Sequence, residues 1–219
     1  RVRAMVGEFS GGTAASLGAT MAAVGKNPEL AKVLTNPFSL AGGFQGPAQP
    51  ADNAPYLDEV AGSWVAPFIM AAINTKNVHR SNALLKHQYG ENFEYDEMMM
   101  TGPGDQGEAI AQAVSKTNPL AGDDVPQPGE GPSKESREAG SYDVAFIGTN
   151  DAGDQIQVAV KGDLDPGYGS TSKMIAESAL CLVQECADLP GGIYTPAPAM
   201  GEKLIARLIE NAGISFEKE

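Results

Sequence analysis

Two alternating segments late in the chain constrain the fold more than any other feature of the sequence. Residues 142–147 and 155–160 are rich in β-branched and aromatic side chains, and Asn150, Asp151 and Gly153 lie between them. Strand-like segments joined by a short turn of this composition predict an antiparallel β-hairpin. The hairpin points to a protein built on an antiparallel or mixed sheet.

The remaining patterns predict helices and further strands around this hairpin. Strands are expected at residues 2–6 and 93–99, and helices at 14–24, just after Asn27, and at 65–88, 106–115, 170–185 and 201–211. Proline and glycine make residues 36–63 a long loop, suited to covering a cleft or clasping a partner, and parts of 117–140 are expected to be mobile. We therefore predict a single α+β domain over residues 1–219. Its sheet is open, mostly antiparallel or mixed, and covered by helices, with long Pro/Gly-rich loops.

Charge and hydropathy exclude two classes of partner. The net charge is −13 and no run of Lys or Arg interrupts the acidity, which argues against nucleic-acid binding. The longest apolar stretch, residues 64–73, contains Pro67 and is too short for the roughly 20 residues of a membrane span. No export signal is recognisable, so we expect a cytoplasmic protein.

The sequence lacks a dinucleotide-binding motif and a metal-binding pattern. Residues 129–131 are the nearest approach to Gly-x-Gly-x-x-Gly, and no strand precedes them. The segment 162–171 fits neither a phosphate loop nor a calcium loop. It is interpreted as a turn into a helix with Ser170 or Thr171 as N-cap, or as a small-anion site that includes Lys173. Cys181 and Cys186 are predicted to be reduced thiols that point about 140° apart on one helix.

Two groups of residues are candidates for binding. The first is the turn formed by Ser10, Gly11, Gly12 and Thr13, where two glycines permit close approach of a ligand or, equally, close packing of a helix on the sheet. The second lies on the predicted helix 65–88, where His79 and Arg80 suit a carboxylate or phosphate. The alternative for the second group is a solvated helix face that complements the helix dipole.

Several segments, taken together and in order, resemble saccharopine dehydrogenase-like oxidoreductases, including the trans-acting enoyl reductase type. They are residues 7–16, 64–70, 80–85 with 89–90, 93–97, 131–133 with Arg137, 165–168 with Thr171 and 174–180, and 191–201.

The resemblance implies that this chain is the C-terminal substrate and dimerisation domain of an NAD(P)-dependent oxidoreductase. An N-terminal Rossmann domain that binds NADP or NAD would precede residue 1, and the isolated chain would be inactive and hold no cofactor. Separately, the exposed edge of an open sheet predicts a homodimer joined through the sheet or the long Pro-rich loops. Hydride would pass between the nicotinamide and a small or acyl substrate. The resemblance itself assigns no catalytic residue. On the face toward the Rossmann domain, the groups whose chemistry best suits an anionic or carbonyl substrate are Ser10, Gly11, Gly12, Thr13, Asn74, His79, Arg80 and Arg137. The alternative is a non-catalytic scaffold or lipid-associated module with the same fold.

Overall fold

A computed structural model describes residues 1–7, 11–117 and 129–219 of the chain. These residues form one open, mixed sheet of seven strands: β1 (Val2–Val6), β2 (Tyr56–Asp58), β3 (Ser63–Pro67), β4 (Met98–Gly102), β5 (Ser141–Thr149), β6 (Gln155–Gly162) and β7 (Ile214–Lys218). The strand order is β2-β3-β4-β1-β5-β6-β7, and all neighbours are antiparallel except β1 and β4. The predicted α+β class with an open mixed sheet is confirmed.

Helices flank this sheet. They are α1 (Gly11–Lys26), α2 (Leu30–Thr35), α3 (Ala71–Leu84), α4 (Gly104–Ser115), α5 (Lys134–Ala139), α6 (Gly169–Glu185) and α7 (Pro196–Asn211). Helix α4 packs on β3 and β4, whereas α6 and α7 pack together and α7 contacts β7.

The predicted hairpin is confirmed as β5 and β6. Their register runs without a bulge from Tyr142 opposite Gly162 to Thr149 opposite Gln155. The turn is closed by backbone hydrogen bonds between Asn150 and Asp154 (3.1 Å) and from Gly153 to Asn150 (2.9 Å).

The helix predicted over residues 65–88 is wrong in its first part. Residues Ser63–Pro67 form β3, in which Val65 and Ala66 are both fully buried although they point to opposite faces. A strand that is covered on both faces is a continuous apolar run, which periodicity does not distinguish from a buried helix. The helix begins only at Ala71 and ends at Leu84, before Lys86 and His87 adopt positive φ angles of 55° and 60°.

Other boundaries also differ from the predictions. The strand predicted at 93–99 is displaced to Met98–Gly102, and β2 lies inside the predicted loop 36–63. Strand β7 and helix α5 were not predicted. Residues 118–128, within the stretch 117–140 of which parts were expected to be mobile, lie outside the described residues.

A hydrophobic cluster joins α6 and α7 to the end of the sheet. It contains Cys181, Met200, Leu204, Leu208, Ala212 and Ile214. Val160 and Phe216, which are paired across β6 and β7, pack against it. Each buried leucine contributes about 2 kcal/mol through the removal of apolar surface from water.

Helix α1 contrasts with this core because its apolar side chains remain exposed. Leu17 and Met21 are 40 % and 59 % accessible to solvent. The helix has a single charged residue, Lys26, and three glycines after its first residue. Among the described elements, α2 is the one that it contacts most.

Candidate functional site

An open, polar pocket of about 510 Å³ lies where α5 and the start of α6 meet the chain at residues 129–132. It is lined by Gly129, Glu130, Gly131, Pro132, Arg137, Tyr168, Gly169 and Ser172. Arg137 was predicted to bind substrate; Tyr168, Glu130 and Ser172 were not predicted as site residues. The pocket therefore combines a guanidinium, a phenol, a carboxylate and a hydroxyl.

Three distant segments that carry the sequence resemblance meet at this pocket. Residues 131–133 with Arg137 and residues 165–168 supply part of its lining. Gly11, which belongs to the segment 7–16, contacts this lining, because its N–H donates to the Glu130 carbonyl at 3.2 Å. At the end of β1, a Cβ on Gly7 would lie 2.8 Å from Pro166 Cδ. Segments that are separate in sequence thus share one location in the fold.

A buried carboxylate fixes the start of α6. Asp165 is fully buried and accepts hydrogen bonds from the backbone N–H groups of Gly167 (3.0 Å), Tyr168 (2.9 Å) and Gly169 (2.6 Å). Charge-assisted bonds of this kind satisfy amides that a helix start leaves unpaired. Because a protein carboxylate already occupies these amides, they are not a site for an external anion.

The predicted N-cap, Ser170 or Thr171, is therefore wrong. The Ser170 hydroxyl is buried and bonds to the hydroxyl of Tyr142 at 2.9 Å, and Thr171 donates to the carbonyl of Pro166. Lys173, which was considered as an anion ligand, forms an ion pair with Asp163 at 3.6 Å.

Two glycines hold the pocket wall in place through close contact. At Gly140, a Cβ would come within 2.4 Å of Asp165 Cα, so a side chain there would displace the turn that begins α6. At Gly131, a Cβ would come within 2.6 Å of Tyr168 Cε2. Two contacts therefore position the Tyr168 ring. Gly131 packs against the ring itself, and the Asp165 carboxylate binds the backbone N–H of Tyr168.

Arg137 is positioned by the short helix α5. Ser133 is the N-cap of this helix, and its hydroxyl oxygen accepts a hydrogen bond from the Ser136 N–H at 3.1 Å. The Arg137 Nη1 donates to the Pro132 carbonyl at 2.8 Å, and the Arg137 carbonyl accepts the Asp165 N–H at 3.0 Å. None of the ion pairs between described residues includes Arg137. Arg137 lines the pocket, and its other guanidinium N–H groups form no further hydrogen bond between described residues.

The predicted glycine turn lies beside this pocket. At the start of α1, Gly11 is buried, Gly12 is exposed and Thr13 is half-buried. Ser10 lies outside the described residues. The structure thus brings Gly11 close to the segment that carries Arg137.

The predicted residues on α3 contact other parts of the chain. Asn74 donates to Glu97 Oε2 at 2.9 Å. Arg80 donates to the carbonyls of Leu40 (3.0 Å) and Ile193 (2.5 Å), so it links two loops to the helix. No hydrogen bond between described residues joins this group to Arg137.

His79 is buried within an aromatic cluster. Its Nε2 lies 3.0 Å from Gln49 Oε1, which also accepts the Tyr95 N–H, so the Nε2 atom carries the proton. Its ring lies 4.4 Å from that of Phe38 and 5.8 Å from that of Phe93. Burial lowers the pKa of His79 below its ordinary value, which favours the neutral imidazole.

The geometric argument that separated the two cysteines does not hold. Cys186 follows the last residue of α6, with non-helical φ and ψ of −120° and 33°, and it packs against the same core as the buried Cys181. Burial, followed by a hydrogen bond with Cys186, raises the pKa of the Cys181 thiol. Both thiols are free.

The described residues contain neither a metal-binding cluster nor a membrane-spanning helix. Within residues 1–7, 11–117 and 129–219, no group of three or more His, Cys, Asp or Glu side chains is arranged to hold a metal ion. In the same ranges, no helix has the length and apolar character needed to cross a membrane.

The chain is similar to mycobacterial proteins named trans-acting enoyl reductase. It is 35 % identical to the Mycobacterium tuberculosis H37Rv protein named "Putative trans-acting enoyl reductase Rv2449c", over 99 % of this chain and 58 % of that protein. It is 32 % identical to the trans-acting enoyl reductases of Mycobacterium bovis BCG and Mycobacterium ulcerans, over 91 % of this chain and 54 % of each.

The chain thus spans slightly more than half the length of the curated relatives it matches. No family model matches the sequence. No solved structure matches it either.

The sequence contains a signal for the turn that carries the pocket residue Tyr168. Asp165, Gly167 and Tyr168 belong to a segment of the resemblance, and Pro166 between them marks a turn. What the sequence did not reveal is that this turn lies against Gly131 and Gly140, because that contact is purely tertiary.

Proposed function

We propose that this chain is the substrate-side part of an NAD(P)-dependent enoyl reductase, which reduces the carbon–carbon double bond of an acyl thioester. The observation that carries the proposal is the similarity to trans-acting enoyl reductases over 99 % of the chain. The convergence of three resemblance segments on one pocket supports it further.

The described residues do not fit a dinucleotide. A Rossmann unit needs parallel strands joined through a helix, with a Gly-rich turn at the helix start. Here the single parallel pair among described strands is β1 and β4, which are not consecutive. We therefore propose that NADP or NAD, which supplies the hydride, binds to a domain outside these 219 residues, in a protein as long as the relatives.

We assign substrate binding to the pocket that contains Arg137, which Gly11 borders through its hydrogen bond to Glu130. The binding roles of Gly12 and Thr13 remain predictions. In a chain of net charge −13, a guanidinium without a described carboxylate partner suits a polar, electron-rich substrate group. The roles predicted for Asn74, His79 and Arg80 remain predictions. Their donors bind other parts of this chain, which favours a structural contribution that holds the loops on α3.

The test compares this chain with the full-length protein that contains it. The full-length protein should oxidise NADPH or NADH in the presence of a trans-2-enoyl thioester, measured by absorbance. The 219-residue chain should do neither this nor bind NADPH in a calorimetric titration. Micromolar binding of NADPH by the chain, or a full-length protein that reduces no enoyl thioester, would contradict the proposal.

A homodimer joined through the sheet or the long loops is part of the proposal. The sheet is open, so β2 and β7 are edges with unpaired backbone groups. Strand β2 is only three residues long, whereas β7 has five and presents a more extensive edge.

A non-catalytic, lipid-associated module is the second candidate function. The exposed apolar side chains of α1 favour it. Flotation of the full-length protein with phospholipid vesicles, together with no reduction of any enoyl thioester, would support this alternative over the enzyme.

A further inference from the structure

We infer that Tyr168 and Arg137 together bind the carbonyl oxygen of an acyl thioester, with Tyr168 as a substrate-binding residue that sequence reasoning did not identify. The inference rests on the proposed function and specifies which substrate group enters the pocket. Its basis is the position of two hydrogen-bond donors on opposite segments of one open cavity of about 510 Å³.

The phenol of Tyr168 is held rigidly although it is partly exposed. The Tyr168 N–H is bonded to the fully buried Asp165 carboxylate, and the side chain is 39 % exposed. The ring lies against Gly131, at a distance that leaves no space for a Cβ. No hydrogen bond between described residues uses the Tyr168 hydroxyl. A donor that lines a cavity and whose backbone is anchored loses less conformational entropy when a ligand binds.

The guanidinium of Arg137 supplies the second donor. One of its nitrogens is anchored to the Pro132 carbonyl at 2.8 Å, which restricts the side chain while its other N–H groups remain available. Residues 131 and 132 therefore orient both donors: Gly131 borders the phenol and Pro132 holds the guanidinium.

The charges around the pocket favour a carbonyl over a phosphate. Glu130 also lines the cavity, and a carboxylate there repels a dianion. The amides at the start of α6, which would otherwise attract a phosphate, are occupied by Asp165. A thioester carbonyl is uncharged before reduction and gains negative charge on oxygen as its conjugated double bond is reduced. Donors aimed at this oxygen stabilise that charge.

The experiment uses the 219-residue chain and a saturated probe, the hexanoyl thioester of N-acetylcysteamine labelled with 13C at the carbonyl. Isotope-edited infrared spectroscopy measures the carbonyl band of the bound probe. We expect the band to move to lower wavenumber on binding, and this shift to be reduced in Tyr168→Phe and in Arg137→Gln. Each variant should bind the probe about tenfold more weakly, as expected for the loss of one hydrogen bond.

Two further variants separate binding from folding. Tyr142→Phe removes a hydroxyl that bonds to Ser170 and does not line the pocket, so the band should remain shifted. Gly131→Ala should displace the phenol and reduce the shift in the same way as Tyr168→Phe. Circular dichroism of each variant checks the fold.

Three outcomes would overturn the inference. The band could remain unshifted on binding, it could shift equally in wild type and both donor variants, or inorganic phosphate could displace the probe. Since the measurement needs neither cofactor nor turnover, failure of the inference can be distinguished from failure of the proposed function. A full-length protein that binds the probe as expected but reduces no enoyl thioester would contradict the enzyme and leave the carbonyl site standing.

Discussion

At the scale of single residues, His79 connects α3 to the loop that precedes β2. The neutral imidazole donates to Gln49 and packs against Phe38, and burial lowers its pKa. In the unfolded chain the imidazole takes up a proton near its ordinary pKa of 6.5, whereas the folded chain resists protonation. The free energy of unfolding should therefore be unaffected by His79 above pH 6.5 and decrease as the pH falls below that value.

Urea denaturation at several pH values between about 7 and 5 measures this effect. The variant His79→Gln should lose the part of the pH dependence that belongs to this residue, while His87→Gln serves as the matched control. Equal slopes in wild type and His79→Gln would show that the buried imidazole does not resist protonation.

Arg80 shows why single residues are hard to assign from sequence. A cation beside a histidine, in an acidic chain, has the composition of an anion site. In the structure its guanidinium satisfies carbonyls of Leu40 and Ile193, which lie far from it in sequence. The local sequence contains no signal for backbone acceptors on remote loops. It therefore left open whether Arg80 binds a ligand or lies on a solvated helix face, and it did not predict these internal partners.

At the scale of elements, the sequence predicts most clearly those segments whose apolar residues recur with a strong local period or whose ends carry turn residues. The hairpin β5–β6 and the helices near 106–115 and 170–185 follow directly from such patterns. Strand β3 was assigned to a helix because both of its faces are covered. Strand β7 is short and gains its stability from pairing with β6, which is a tertiary property. The pocket combines α5 with the turn before α6, and their contact through Gly140 is likewise not local.

The start of α6 gives a testable element-scale prediction. Asp165→Asn keeps the shape of the side chain but removes the charge that binds three backbone N–H groups. We expect a loss of about 2 kcal/mol in the free energy of unfolding, because a helix cap and charge-assisted hydrogen bonds are weakened together. Urea denaturation measures the loss. Asp163→Asn, whose side chain is exposed and pairs only weakly with Lys173, should change stability little and is the matched control. A loss no larger than that of the control would refute the capping role.

At the scale of the whole molecule, the edges of the sheet make assembly testable. Static light scattering at tens of micromolar should give a dimer for the full-length protein. If β7 forms the interface, substitution of Phe216 with proline should yield a monomer, since proline cannot donate to a strand partner. The substitution also removes a side chain from the core, so circular dichroism must first establish that the variant is folded. A full-length protein that is monomeric at these concentrations would contradict the proposed homodimer.

The exposed apolar side chains of α1 have a consequence for how the 219-residue chain behaves in solution. Its net charge of −13 keeps neighbouring molecules apart, whereas α1 offers a nearly uncharged surface on which they can adhere. Repulsion between molecules weakens when salt screens their charges, and it vanishes near the isoelectric point of about 4.5. The colloidal stability of the chain therefore depends on a balance between its acidity and its exposed apolar side chains, to which α1 contributes, and ionic strength and pH determine which of them prevails.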